Sequence, residues 1–399
     1  MLILLQSISY VMKEPGLPTS ASSVKRMEAI DFVRGLVMVL MAIDHVRVYS
    51  GLPAGGPEPG IFFTRWITHF CAPVFVFLSG TSAYLYGLKC KNRSGLSRYL
   101  FTRGILLVVL ELTLIRFLWT FNLHFSDFML AGVIWMIGWC MVLMAILVRL
   151  NTIVVAAVGL FIIVFQDLFA TVPGFISKSP QSSFGQFWEF IYSSGLEGPA
   201  WITILYVLVP WIGVMALGYG FGMFFRMEER QRRKIFIITG SVSILVFLLI
   251  GSFQVLTYSQ DTEMPFIMQL LNQRKYPASQ LYLLMTLGPA ILLMAFTEHI
   301  HGKPGNAVAL IGRVPFFYYL LHILVIHLSA LLVQLIRFGQ TYAEGYATAP
   351  YSHVPDEFRW NLGLLYLVFA IDVVCLYFIC KWYASYKANH PEKTWLRYL

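Results

Sequence analysis

Runs of about twenty mostly apolar residues, each long enough to cross a bilayer as a helix, alternate along the chain with short polar stretches. They predict about ten transmembrane helices, near residues 32–50, 67–88, 99–120, 128–149, 152–172, 201–225, 235–256, 279–297, 314–336 and 361–381. No repeat, low-complexity tract or domain boundary divides them. The expected fold is therefore all-α: one polytopic membrane bundle over residues 26–385, between an N-terminal segment 1–25 and a tail 386–399.

The polar stretches differ in charge. One set carries Lys25, Arg26, "KCKNRSGLSR" (89–98), Arg149, "RMEERQRRK" (226–234), Lys303 and the tail's Lys381, Lys387, Lys393 and Arg397. The other carries only Lys178, Arg274, Lys275 and Arg359. Positive loops stay in the cytoplasm, so both termini are expected there, in agreement with an even number of crossings. The opposite side then holds the Pro/Gly-rich turn 51–60 and longer segments at 173–200, 257–278 and 337–360. Long loops rich in Trp, Tyr and Gln suit a binding surface, although plain loop packing would account for them equally.

Composition agrees. Of 399 residues, 58% are hydrophobic and 12% charged, where soluble proteins have about 25% charged. Mean hydropathy is +0.70. The partner is a lipid bilayer, expected to be the cell's inner (cytoplasmic) membrane. The net charge of +9 sits in helix-orienting loops, so no nucleic-acid partner is expected. Cys71, Cys90, Cys140, Cys375 and Cys380 lie in or beside apolar runs without metal spacing and read as small buried hydrophobes. The opening "MLILLQSISYVM" is apolar but too short for a span. It lacks a charged n-region and a cleavage site, and Met12 and Met27 offer alternative starts.

Charges inside the first run call for a reason. "FVRGLVMVLMAIDHVRVYSG" (32–51) holds Arg34 near one end and Asp44, His45 and Arg47 near the other, each costing a few kcal/mol in lipid. Arg34 and His45 are eleven residues apart, which on a helix returns to within about 20° of one face over about 16 Å. Arginine suits phosphate and histidine suits proton transfer near neutral pH. An anion held at the inner boundary and a proton shuttle in the outer third make a vectorial arrangement that fits a long molecule lying along the helix. The bland alternatives are an Arg34–Asp31 pair with positive-inside anchoring, and a packing histidine. Asp44 points about 100° away, where it contacts a neighbouring helix or orients an imidazole.

Other polar positions fall inside the runs. His69 follows Arg65 near the outer start of the second run, and the short connection to the first predicts that His45 and His69 face a common cavity. Paired imidazoles, or an imidazole with Asp44, could take a proton from a hydroxyl or amine; an interfacial histidine bound to water is the alternative. In the third run Arg103 lies near the inner end, Glu111 at mid-membrane and Arg116 toward the outside. Glu111 is expected to pair with an arginine or a polar group of a facing helix, in a structural or site-orienting role. His322 and His327 diverge by about 140°, which disfavours a shared metal, and no metal is expected. Tyr276 and Ser279 could hydrogen-bond an acceptor, or serve as an interfacial tyrosine and a helix cap.

Five segments resemble the bacterial branch of the heparan-alpha-glucosaminide N-acetyltransferase catalytic-domain family: "AIDFVRGLVMVLMAIDHVR" (29–47), "FFTRWITHFCAPVFVFLSGTSAYL" (62–85), "YVLVPWIGVMALGYGFG" (206–222), "YPASQLYLLMTLGPAILL" (276–293) and "GRVPFFYYLLHILVIH" (312–327). The resemblance runs from about 26 to 385. Arg, ten residues, then His also resembles the signature of the wider transmembrane acyltransferase superfamily. It implies a transmembrane O- or N-acyltransferase using acetyl-CoA or another acyl-CoA from the cytoplasm, with a carbohydrate-type acceptor on the far side. Arg34 and Arg313 would then hold the CoA phosphates, and His45, His69 and Asp44 would carry the chemistry. Arg65, Glu111, Arg116, Tyr276, Ser279 and His322 would bind or orient. The chain departs from the lysosomal enzyme in having His45 where that enzyme has asparagine, and in lacking a histidine in the loop 51–60. Acceptor identity therefore does not carry over. The oligomeric state stays open, a homodimer included. A proton-coupled secondary transporter of a small solute and a non-catalytic sensor or assembly factor are the rival readings.

Overall fold

The structure is a computed structural model that describes residues 28–176, 182–193, 199, 201–259, 263–298, 302–347 and 354–397. The N-terminal segment 1–25, the alternative starts Met12 and Met27, the charges Lys25, Arg26 and Lys178, and parts of the three long outer segments lie outside the described residues.

Helix α1 (Glu28–Ser50) is followed by α2 (Pro59–Trp66), a 3₁₀ turn (Ile67–Phe70) and α3 (Cys71–Gly87). Next, α4 (Arg93–Leu110) passes through a π turn (Glu111–Ile115) into α5 (Arg116–Thr120), which ends at Phe121 in the left-handed region with φ 47°. Then come α6 (Val133–Leu147), α7 (Thr152–Val164), the short α8 (Val172–Ile176) and α9 (Ser183–Ile191), and α10 (Trp211–Phe221). The remainder comprises α11 (Glu229–Tyr258), α12 (Phe266–Leu271), α13 (Gln280–Met294), α14 (Lys303–Arg313), α15 (Pro315–Phe338) and α16 (Leu362–Asn389). Starts follow capping chemistry: Asn92, Asn151, Ser279 and Asn361 each accept a backbone N–H from the first turn of α4, α7, α13 and α16.

The helical expectation holds, with two corrections to its boundaries. The runs expected from 128 and from 201 begin as helices only at Val133 and Trp211. Between them, β1 (Leu130–Ala131) pairs in parallel with β2 (Thr203–Ile204), so these backbones satisfy each other instead of a helical ladder. Among the described residues, four helical stretches are long and apolar enough to cross a membrane: Pro59–Gly87, Glu229–Tyr258, Pro315–Phe338 and Leu362–Asn389. Thr152–Val164 with Gln166–Ile176, bent by 62°, makes a fifth if counted as one span.

Small residues set the helix pairs. A Cβ added at Gly104 would meet Gly138 O at 2.5 Å, and one at Gly138 would meet Gly104 O at 2.7 Å, so α4 and α6 touch backbone to backbone. Gly159 and Gly213 do the same for α7 and α10, and Gly35 and Gly312 for α1 and α14. Such contacts are how helices associate where lipid removes the hydrophobic drive between them. The outward faces are apolar: Val242, Leu245, Leu249, Phe253 and Leu256 form an exposed stripe on α11, and Leu367, Ile371, Val374 and Phe378 one on α16. Stripes of this kind suit acyl chains. Cys375 belongs to the second face and is exposed, against the expectation that all five cysteines are buried.

Candidate functional site

Arg34, Met38, Met41 and His45 fall within about 60° of one another on α1, with Asp44 at the edge of that face. All five line one cavity of about 270 Å³, which is walled by α3, α4, α6 and the start of α15. The cavity therefore follows α1 from a guanidinium to an imidazole.

At the Arg34 end, Nη2 donates to Ser82 Oγ at 2.7 Å and Nη1 to Gly312 O at 3.4 Å, with Asp31 Oδ1 at 3.8 Å. Arg103 of α4 lines the same end and donates to Tyr99 OH at 2.9 Å. Tyr99 stacks on Tyr86 with ring centroids 4.2 Å apart, and both rings also line the cavity. Two guanidiniums at one mouth make a site for a multiply charged anion.

At the other end stand Asp44, His45, Thr68, Cys71, Tyr206 and Lys275. Asp44 Oδ1 accepts from Arg47 Nε at 3.1 Å and Nη2 at 2.9 Å, and Arg47 Nη1 donates to Leu52 O. His45 Nδ1 lies 2.6 Å from His322 Nε2, and His322 Nδ1 lies 3.1 Å from Tyr318 O. A carbonyl only accepts, so His322 carries its proton on Nδ1. Its Nε2 then accepts from His45 Nδ1–H, which leaves His45 Nε2 with a lone pair. The edge of Trp119 fixes the ring further, with centroids 4.7 Å apart.

His69 is not on the cavity wall. The 3₁₀ turn Ile67–Phe70 folds its ring back, so that Nδ1 lies 3.1 Å from both Arg65 O and Trp66 O. The expected common cavity of His45 and His69 is thus replaced by the His45–His322 contact. Arg65 is half-buried and also off the wall. Arg313 sits outside too, 43% exposed, with Nε 4.0 Å from Asp31 Oδ2. Glu111 does not find an arginine: its carboxyl faces the backbone N–H groups of Gly132, Ile134 and Trp135 at the start of α6, and its Oε2 makes no hydrogen bond among the described residues. Arg116 donates to the carbonyls of Asn122, His124 and Phe128 and so ties down the turn after α5. Tyr276 OH lies 3.5 Å from Tyr206 OH, and Ser279 caps α13. His322 and His327 diverge as expected; His327 Nδ1 bonds Leu118 O at 3.0 Å.

Three lining residues escaped the sequence reading. Arg103 counted only as an inner-end charge, Ser82 was one small polar residue among several, and Lys275 was an outer-loop cation. Only the position of Lys275 directly before the "YPASQ" turn that opens α13 hinted at more.

The family described as "Heparan-alpha-glucosaminide N-acetyltransferase, catalytic" matches residues 26–260. That stretch contains Arg34, Asp44, His45 and Arg103, and ends before Lys275 and His322. No curated protein sequence gives a significant match to the chain.

Proposed function

The chain belongs to the heparan-alpha-glucosaminide N-acetyltransferase catalytic-domain family, and on that premise we propose that it is a membrane acyltransferase taking an acetyl group from cytoplasmic acyl-CoA to a hydroxyl or amine of an extracytoplasmic sugar-type acceptor. A membrane protein of acetyltransferase type follows from the family; donor, acceptor and direction are the proposal. The observation that supports it is the single cavity with Arg34 and Arg103 at one end and His45 at the other. Its course along α1, about 16 Å from Arg34 to His45, suits an anionic head at one end and a thioester at the other.

In this reading the bundle crosses the inner membrane about ten times, with both termini and the Arg34 end in the cytoplasm. Arg34 and Arg103 hold the donor's phosphates, with Arg313 near the entrance. The acceptor's oxygen or nitrogen attacks the thioester carbon and its proton passes to His45 Nε2. The C–S bond then breaks, and the departing thiolate takes the proton from the His45 imidazolium, which restores the neutral ring. His322 positions His45 and stabilises its charged form, as a triad's third member does for its base. Asp44, paired with Arg47, shapes the same end of the cavity beside His45. An acyl-His45 intermediate would use the same groups.

The test is to incubate membranes with radiolabelled acetyl-CoA, with and without His45→Ala. Label in an envelope glycan that disappears in the variant supports the reading. Equal labelling with His45→Ala sinks it. Solute uptake by proteoliposomes lacking acyl-CoA, without any labelling, would favour a transporter.

A further inference from the structure

The proposed attack leaves a charge without a partner. As the acceptor bonds to the thioester carbon, the carbonyl oxygen becomes an oxyanion, and a preorganised donor at that point is usually the largest single source of acceleration in acyl transfer. Backbone N–H groups of α1 cannot serve, because His45 lies inside the helix, where they are bonded along it. The donor must then come from a side chain at the His45 end, and among the cavity-lining residues there Lys275 is the one that brings a full positive charge.

Lys275 lines that end together with Asp44 and His45, although it comes from a connection more than two hundred residues away in the chain. Its charge acts on both Asp44 and His45. Arg47 already neutralises Asp44 through two bonds to Oδ1, so the ammonium adds net positive charge where the thioester would lie. Its seat is fixed. Ser279 N donates to Arg274 O at 2.9 Å, Lys275 forms a bridge with Ala278, and Ser279 Oγ caps α13. Tyr276, whose ring lies 5.2 Å from the Lys275 Nζ, contacts Tyr206 of the cavity wall. A lysine on so short and well-tied a turn is presented to the cavity at little cost in ordering at the moment of reaction.

We infer that Lys275 is the oxyanion-stabilising residue of this site, its ammonium hydrogen-bonding the thioester carbonyl oxygen as that oxygen takes up negative charge. The inference rests on the acyltransferase reading. Electrons move from the acceptor lone pair into the new bond to carbon and from the carbonyl π bond onto oxygen. They return to expel the thiolate, and Lys275 keeps its protons throughout.

The experiment uses the full chain in proteoliposomes, with thiol release from acetyl-CoA measured in the presence of host envelope glycan. Wild type is compared with Lys275→Met and Lys275→Arg. Binding of acetonyl-CoA, an unreactive ketone analogue of the donor, reports on folding and on the donor site. For Lys275→Met the expected result is a kcat lower by about 10²- to 10³-fold with acetonyl-CoA affinity changed by less than about threefold, and partial recovery in Lys275→Arg. An unchanged kcat, or a loss confined to the acceptor's KM, overturns the proposal. If Lys275→Met fails to bind acetonyl-CoA, Lys275→Arg decides: a lower kcat at unchanged affinity supports the assignment and a wild-type kcat overturns it. Absence of thiol release by the wild type would instead remove the acyltransferase reading itself.

Discussion

His45 Nδ1 and His322 Nε2 stand 2.6 Å apart across the interface of α1 and α15. The contact joins two residues 277 positions apart in the chain, and it sets the tautomer of both rings because Tyr318 O holds the His322 proton on Nδ1. His45→Ala removes the proposed base and is expected to lower kcat by about 10²- to 10⁴-fold. His322→Ala leaves the base but frees its tautomer, so a smaller loss is expected, and His322→Gln, whose side-chain oxygen can accept from His45 Nδ1–H, should regain part of it. Steady-state kcat at saturating acetyl-CoA checks all three. Equal rates for His322→Ala and wild type would show that the dyad has no orienting role.

Arg34 and Arg103 line the anionic end of the cavity, whereas Arg313 lies outside it and half in solvent. Charged hydrogen bonds contribute about 1.5–3 kcal/mol each, so Arg34→Ala and Arg103→Ala are expected to raise the KM for acetyl-CoA by roughly 10- to 100-fold. Arg313→Ala should move it by only a few fold, as exposed charges do at about 0–1 kcal/mol. Donor titrations at fixed acceptor measure the three values. A larger effect from Arg313 than from Arg103 would shift the phosphate site to the outside of the bundle.

The pattern of apolar runs carried the fold class, and the Arg34–His45 spacing carried one whole side of the cavity, because both are properties of a single helix. What the sequence could not show was which helices meet. Apolar runs look alike from outside, so nothing marked α15 rather than α2 as the neighbour of His45. The short loop made His69 the natural partner, and a four-residue 3₁₀ turn removed it. Glu111 illustrates the same limit: what its carboxyl faces is the backbone at the start of α6, which no side-chain pattern advertises. Lys275 was visible only as charge, since the turn that seats it is defined by hydrogen bonds within six residues.

Gly35 and Gly312 face each other where α1 crosses α14, and a Cβ at either would run into backbone of the other helix, Val308 O or Asp31 O. Backbone cannot move aside as a flexible side chain can. Gly312→Val is therefore expected to cost at least the ~1–3 kcal/mol of ordinary overpacking, and to move Arg34, which donates to Gly312 O. Thermal unfolding in detergent should show a lower midpoint for Gly312→Val than for Gly174→Val, a change at a glycine whose Cβ position is open and whose φ is not positive. Equal midpoints would mean that the two helices are not in backbone contact.

Glu111 tests whether a buried carboxyl in the third run serves structure or chemistry. It sits in the π turn between α4 and α5 and faces the backbone N–H groups at the start of α6, whose Val133, Ile134, Ile137 and Met141 line the cavity. Glu111→Ala removes the buried carboxyl that faces these N–H groups and leaves a cavity, so a lower unfolding midpoint is expected. Glu111→Gln keeps one acceptor oxygen and should fall between alanine and wild type. The rate per folded molecule should change little in Glu111→Gln, because no step of the proposed transfer passes a proton through this side chain. A glutamine variant that unfolds like wild type yet turns over at under a hundredth of its rate would place Glu111 in the chemistry instead.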